Sequence, residues 1–326
     1  MAYFPPDLLK CVVFLGYKDQ AGKFHFAGSA FWVSRTGPDD IKNEYRPAYL
    51  ATAAHVIDEI RRKAADNRVW MRVNTKSASQ ESVDTPLEVW RAHPDPNVDV
   101  AVLKIGIAGY DHAAWPLEWC VIDDKLDTIE SGDRKVELGD EICFAGLFHP
   151  HAGQQRNLPI VRVGTVAALR EEPVVSRDNR PMDVYLVESR SIGGLSGSPV
   201  FIDVRTAKTT RPPSWGWMAG AYDPSSPGRF KLLGLIHGHF GDDILPDAIA
   251  DDGRERVHIN MGIAMVIPAE KIQEALAGYA AQEEIEANEF RERKKAQTIR
   301  VGDASVQQPN VTIGKVFTVS SEPPKD

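Results

Sequence analysis

The chain of 326 residues has few cysteines and no excess of basic side chains, and each shortage excludes a class of protein. Its three cysteines, Cys11, Cys120 and Cys143, are odd in number and widely spaced, unlike the paired framework of a small secreted protein. Because Cys11 and Cys143 lie in apolar runs, we expect buried thiols and a cytoplasmic location. With 38 basic and 46 acidic side chains the net charge is −8. Nucleic-acid binding requires clustered basic groups, so nucleic acid is not an expected partner.

Long hydrophobic runs are also missing. No apolar stretch approaches the roughly 20 residues of a membrane-spanning helix. The run Leu8–Tyr17 is interrupted by Lys10, is preceded by two prolines and Asp7, and lacks the basic region of a signal peptide. We therefore expect a first strand there, and no membrane partner.

Metal-binding patterns such as H-E-x-x-H do not occur. His237, His239, Asp242 and Asp243 lie close together in the sequence, but no other residues complete a zinc pattern around them. The sequence therefore predicts neither a metal nor a cofactor.

The most informative segment is Ser191–Phe201, which places Ser196 in a glycine-rich turn before an apolar strand. A serine hydroxyl becomes a nucleophile when a base removes its proton and backbone N–H groups face the developing oxyanion. Glycines before Ser196 allow the backbone to direct successive N–H groups at one point. Gly197 would let a substrate carbonyl approach without meeting a Cβ atom.

Two other segments offer a base and a carboxylate to orient it. Tyr49–Ile57 reads as a strand that ends in His55, and histidine can accept and return a proton near neutral pH. Asp99 opens the apolar strand that follows, where it can be partly buried and directed at an imidazole. Asp95 is an alternative, but prolines flank it in an expected loop, so Asp99 is preferred.

These segments resemble the signature blocks of trypsin-like (chymotrypsin-fold) serine peptidases, in the bacterial branch with HtrA-type and glutamyl endopeptidases. Two further blocks resemble the strand that lines the family's substrate pocket and the last strand before its C-terminal helix. The five matching blocks occur in the family's order: Thr52–His55, Asp99–Leu103, Gly194–Pro199, Leu233–Gly238 and Asn260–Pro268.

The resemblance implies a role for each residue. Ser196 would attack the scissile carbonyl, His55 would act as base and then acid, and Asp99 would fix the tautomer of His55. The N–H groups of Gly194 and Ser196 would form the oxyanion hole. Leu195 stands where zymogens of the family carry an aspartate, so we expect activity without cleavage of the N-terminus.

The same resemblance places Arg190 at the floor of the substrate pocket and His237 at the pocket histidine of glutamyl-specific relatives. His239 lies two residues further along the strand, on the same face, with Gly238 between them. Basic groups there favour an acidic side chain before the scissile bond (P1), with glutamine or small residues as alternatives. A structural role, with Arg190 paired to a surface acid and His237 packed in the core, is the competing interpretation.

Short apolar strands separated by turns predict an all-β fold of two six-stranded antiparallel barrels, chymotrypsin-like, with a C-terminal helix. We expect the first barrel over 1–125, with His55 and Asp99, and the second over 126–268, with Ser196. The helix is expected over 269–297 and a tail, flexible in part, over 298–326. The triad would then lie between the barrels.

The expected function is a serine endopeptidase acting on protein or peptide substrates. Its alternative is a catalytically silent module of the same fold that binds a protein or serves as a scaffold. A third hypothesis is a peptidase that stays quiescent until a partner orders its oxyanion loop. That activating partner would bind through the C-terminal helix or through the proline-rich loop that carries Trp215 and Trp217.

Overall fold

The computed structural model describes residues 4–35, 38, 41, 45, 47–107, 122–123, 135–176, 180–189, 194–203, 230–239 and 262–302. Several sequence predictions concern residues outside this set: Cys120, Arg190, Trp215, Trp217, Asp242, Asp243 and the tail after 302. For His239 the backbone is described and the side chain is not.

The first part of the chain forms one curled, mostly antiparallel sheet in the order β5-β4-β1-β2-β3-β7-β6, with β8 added in parallel to β2. It has eight strands where six were expected, because polar β5 lacks an apolar alternation and β8 is only two residues long. The strands are β1 (Val12–Lys18), β2 (Phe24–Ser34), β3 (Pro47–Thr52), β4 (Arg68–Asn74), β5 (Gln80–Pro86), β6 (Arg91–Ala92), β7 (Ala101–Ile107) and β8 (Ile122–Asp123).

The second part forms a closed six-stranded barrel in the order β10-β13-β16-β15-β14-β9, in which every neighbouring pair is antiparallel. The predicted all-β, chymotrypsin-like double-barrel class is thereby confirmed. A small hairpin, β11 with β12, lies outside the barrel. The strands are β9 (Glu141–Gly146), β10 (Ile160–Ala168), β11 (Val174–Val175), β12 (Pro181–Met182), β13 (Tyr185–Glu188), β14 (Pro199–Asp203), β15 (Phe230–His239) and β16 (Ile263–Pro268).

Within the described residues, three α-helices accompany the strands: α1 (Ala54–Lys63), α2 (Ala269–Ala277) and α3 (Ala280–Gly302). The sequence predicted a strand ending at His55, whereas His55 is the second residue of α1. The expected single C-terminal helix is two helices with a break at Gly278 and Tyr279. Among the described helices, none combines the length and apolar character needed to cross a membrane.

Two hydrophobic clusters hold the sheets together. The larger fills the first sheet and continues through residues of the second barrel into α2. A second cluster fills the closed barrel and includes Leu195, one residue before the serine. Burial of this leucine fixes the nucleophile loop to the barrel through apolar packing. Cys11 and Cys143 are both buried thiols that form no disulfide, as expected.

Candidate active site

A cleft of about 920 Å³ runs between the first sheet and the closed barrel. His55, Asp99 and Ser196 all lie in its wall, together with His237 and Gly238. The fold therefore brings to one surface three residues that are far apart in the chain. His55 and Asp99 are 44 positions apart, and Asp99 and Ser196 are 97 positions apart.

Asp99 caps the N-terminus of α1. Its backbone carbonyl accepts the N–H of Ala54 at 3.3 Å, and its Oδ1 accepts the N–H of His55 at 2.7 Å. The residue before the helix is Ala53, whose methyl group cannot accept a hydrogen bond from these groups. A carboxylate near a helix N-terminus also interacts favourably with the helix dipole. Asp99 thus fixes both the start of α1 and the backbone of His55.

The His55 ring is held by the same carboxylate. Its Nδ1 lies 2.6 Å from Asp99 Oδ2, so Nδ1 carries the proton and Nε2 is free to act as a base. Burial acts to lower the pKa of His55, but the hydrogen bond and charge of Asp99 outweigh it, with smaller contributions from Glu59 and Asp58. The pKa of His55 is consequently raised, while its ring remains 41% exposed to the cleft.

Asp95, the alternative orienting residue, has a different role. Its Oδ1 accepts the N–H of Asn97 at 2.9 Å, which closes a turn ahead of Asp99. Asp95 shapes the loop, and Asp99 is the carboxylate in contact with His55.

The Ser196 loop depends on two glycines with positive φ. Gly194 has φ +98°, and Gly197 has φ +80°. A Cβ atom at Gly197 would lie 2.1 Å from the carbonyl oxygen of Ser29 and 2.3 Å from Thr52 Oγ1. The Gly197 requirement therefore comes from contact between the loop and the first sheet, which replaces our sequence-based explanation of substrate access.

The N–H groups that the sequence predicts for an oxyanion hole have no acceptor among the residues that the structure describes. Within the described residues, the N–H groups of Gly194, Leu195 and Ser196 donate to nothing, whereas Gly197 N–H donates to Ile236 O at 2.8 Å. Unpaired N–H groups beside a serine are what stabilisation of a developing oxyanion requires.

The Ser196 hydroxyl donates to the backbone carbonyl of His237 at 3.1 Å. Among the described residues this is its one hydrogen bond, so the hydroxyl does not contact His55 Nε2 in this conformation. Catalytic hydrogen bonds are often absent or long without substrate, and rotation about the Cα–Cβ bond redirects the hydroxyl.

The His237 side chain makes a contact that the sequence did not predict. The sequence assigned its side chain to the substrate pocket, but its Nδ1 contacts Asp99 Oδ2. The His237 and His55 rings meet edge to face, with centroids 5.2 Å apart. Burial would raise the pKa of Asp99, but the N–H groups of His237 and His55 hold it far below its usual range. One carboxylate oxygen thus serves two imidazoles.

A family model described as "trypsin-like peptidase domain" matches residues 28–206, which include His55, Asp99 and Ser196. The chain belongs to this family. No curated protein is similar enough in sequence to be matched to it.

Two solved structures resemble this trypsin-like peptidase. Deg5 is 14% identical with a TM-score of 0.44, and the match covers 84% of this chain and 90% of that one. An inactive serine-to-alanine mutant of Rv3671c from M. tuberculosis H37Rv is 17% identical with a TM-score of 0.41, covering 85% and 92%.

Ser29 is a residue of the site that sequence reasoning missed. Its N–H donates to Ser196 O at 2.9 Å, and its Oγ donates to Gly194 O at 3.2 Å. The same Oγ accepts the N–H of Leu147 at 2.9 Å. In this peptidase, Ser29 therefore connects the nucleophile loop to the first sheet. A fully buried serine within an apolar strand was the available signal.

His55, Asp99 and His237 each offer a metal-ligating atom, and these atoms lie within 4.8 Å of one another. Neighbouring ligands in a tetrahedral zinc site are about 3.3 Å apart, given zinc–nitrogen bonds of roughly 2.0–2.1 Å. His55 Nδ1 and Asp99 Oδ2 are 2.6 Å apart, which fits a proton between them. This arrangement suits a hydrogen-bonded carboxylate with two imidazoles better than a zinc site.

Proposed function

We propose that this chain is a serine endopeptidase that hydrolyses peptide bonds in protein substrates. Ser196 Oγ attacks the scissile carbonyl while His55 Nε2 takes its proton, and the N–H groups of Gly194 and Ser196 stabilise the oxyanion. His55 then gives the proton to the leaving amine, which leaves an acyl group on Ser196. Water, activated by His55, releases the acyl group as a carboxylic acid.

The contact between His55 Nδ1 and Asp99 Oδ2 at 2.6 Å carries this proposal. It fixes the tautomer that leaves Nε2 as the base, in a cleft that Ser196 also lines. Membership in the trypsin-like peptidase family supports the same chemistry.

Labelling with a fluorophosphonate probe, read by intact mass, tests the proposal. We expect one adduct on the wild type and none on S196A or H55A. S77A, which alters an exposed serine in the turn after β4, serves as the matched control and should label normally. Hydrolysis of an unfolded protein substrate by the same four proteins then distinguishes a peptidase from an esterase.

A second candidate, a silent binding or scaffold module, is favoured by one observation. The Ser196 hydroxyl is directed to the His237 carbonyl, away from the base. A folded wild type with neither adduct nor hydrolysis, alone or after addition of cell lysate, would favour this module. Labelling that appears only with lysate would instead indicate a quiescent peptidase that needs an activating partner.

Acidic P1 preference is a finer proposal that now rests on Arg190 and His239. The Nδ1 atom of the His237 ring contacts Asp99 Oδ2, so this atom is not available to bind an acidic P1 side chain. A peptide library with each residue at P1 tests the preference. Cleavage after glutamate that is lost in R190A or H239A would support it, and cleavage after lysine or arginine would refute it.

Partner regulation is proposed through α3 or the loop with Trp215 and Trp217. Support for α3 comes from its exposed side chains at 292–295. Charge reversal at Arg293 and Lys294 should alter cleavage of a protein substrate and spare cleavage of a short peptide. Deletion of 211–228 tests the loop in the same way.

We also propose a cytoplasmic location, supported by Cys11 and Cys143, which are buried and form no disulfide. Fractionation of the producing cells tests it.

A further inference from the structure

His237 contacts both Ser196 and Asp99, the two residues predicted to act together with His55. Its carbonyl oxygen accepts the Ser196 hydroxyl at 3.1 Å, and its Nδ1 donates to Asp99 Oδ2. An ionised carboxylate only accepts hydrogen bonds, so the proton of this contact belongs to His237 Nδ1. A single residue of β15 therefore connects the nucleophile with the carboxylate.

The register of β15 explains why this side chain faces the first sheet. Ile236 is fully buried in the core of the closed barrel and pairs with Val266. Successive side chains of a strand point to opposite faces, so His237 faces away from that core. A register irregularity lies between Ile236 and Gly238, next to the site. The His237 side chain is 22% exposed in the cleft wall.

Asp99 is surrounded by donors on both oxygens. Oδ1 accepts the backbone N–H of His55, while Oδ2 accepts Nδ1–H from the rings of His55 and His237. With all three donors present the plane of the carboxylate is fixed, and so is the direction of the His55 ring. Without His237, the carboxylate would be held only by His55, the residue that it has to orient.

We propose that His237 is a positioning residue, which fixes Asp99 and thereby aims His55 Nε2 at Ser196. This inference rests on the proposed peptidase function. His237 also limits how strongly Asp99 attracts the Nδ1 proton of His55, because a carboxylate oxygen shared by two donors is a weaker acceptor for each. His237 therefore has two effects on His55. It keeps the ring correctly oriented, and it prevents Asp99 from raising the pKa of His55 further.

The pH behaviour of His55 depends on every charged group around it. Asp99 and His237 lie against its ring, and Glu59 and Asp58 act on it from α1. Among the described residues, the other ionisable side chains of the cleft wall are Arg61, Arg62, His93 and Arg180. These are the same in all His237 variants, so a change in the titration of His55 reports the His237–Asp99 contact.

The decisive comparison is H237A with H237N. Asparagine Nδ2–H can donate to Asp99 from nearly the position of histidine Nδ1, whereas alanine cannot. We expect H237A to lower kcat about 10- to 100-fold, the equivalent of one hydrogen bond to a charged group, with little change in KM. H237N should recover most of that loss. H25A is the matched control, because it removes a half-exposed histidine–aspartate pair with Asp19, 2.7 Å long and outside the cleft wall.

Titration of His55 by NMR supplies a readout that does not need activity. We expect the pKa of His55 to rise in H237A, since Asp99 then acts on one imidazole alone, and to stay near the wild-type value in H237N and H25A. Equal losses of kcat in H237A and H237N, or an unchanged His55 titration in H237A, would overturn the inference. If the wild type takes no fluorophosphonate adduct but the His55 titration shifts as expected, the contact is confirmed and the peptidase proposal is what fails.

Discussion

Two carboxylates with the same 13% side-chain exposure organise different regions of the molecule. Asp99 lies at the cleft and accepts hydrogen bonds from His55 and His237. Glu283 lies on α3, where it accepts Arg35 Nη1 at 2.6 Å and the Tyr49 hydroxyl. Each carboxylate therefore joins elements that are far apart in sequence.

The two clusters differ in the groups that donate hydrogen bonds to the carboxylate. Imidazoles lose and gain protons near neutral pH, so the Asp99 cluster can transfer a proton to a substrate in the cleft. A guanidinium keeps its proton, and burial together with Glu283 raises the pKa of Tyr49 well above its usual value. The Glu283 cluster can only hold α3 on the first sheet. Similar burial and similar hydrogen bonding thus produce a cluster able to transfer protons in one place and an attachment in the other.

The largest expected effect is a loss of kcat when the Asp99 cluster is altered and not when the Glu283 cluster is altered. D99N should lower kcat about 10⁴-fold, because an amide cannot hold His55 in the tautomer that leaves Nε2 as a base. E283Q, the equivalent change in the other cluster, should leave kcat within about twofold. Steady-state kinetics on a peptide substrate measures both. A comparable loss of kcat in E283Q would show that the two clusters do not act separately.

The pH dependence of activity sharpens the comparison. His55 must be neutral to accept a proton, and its pKa is raised, so kcat/KM should fall as pH decreases with a midpoint above the ordinary value of about 6.5. Folding stabilises protonated His55; this contribution to stability is complete below the ordinary pKa and is lost as pH rises through the folded-state pKa. Asp99 acts in the opposite sense, stabilising above its ordinary pKa and less as pH falls below it.

Rates measured between about pH 5 and 9 test this prediction, with E283Q as the control. The acid limb of E283Q should coincide with that of the wild type. A flat profile would show that His55 is not the base.

The smallest effect concerns stability. E283Q removes the charge opposite Arg35 and should lower the free energy of unfolding by about 1–3 kcal/mol. Y49F removes one hydroxyl from the same carboxylate and should cost about 1 kcal/mol. Urea unfolding of the wild type and both variants measures these differences. Stability unchanged in E283Q would mean that the packing of Tyr45 against Phe290, at 5.8 Å between ring centroids, is sufficient to hold α3.

Much of the architecture could be predicted from local patterns. Apolar runs separated by turns predicted the all-β class, and the described strands form a curled sheet and a closed barrel. The sequence missed β5, whose residues Gln80–Pro86 are largely polar, because an edge strand is defined by its pairing with β4.

The helix that carries His55 was missed for a related reason. Its first N–H groups are satisfied by Asp99, 44 residues away, and Ala53 gives no local capping signal. A periodicity of buried side chains at Val56, Ile57 and Ile60 was present, but it followed an apolar strand without a clear boundary.

By itself the sequence determined the chemistry: a serine in a glycine-rich turn, a histidine, an aspartate, and strands whose apolar runs must be buried. Only the tertiary structure decided how these groups face one another. Strand register directed Nδ1 of His237 at Asp99, and contact between the sheets joined Ser29 of β2 to the Ser196 loop. Composition and spacing specify which side chains are available, whereas register and packing between distant segments set their direction.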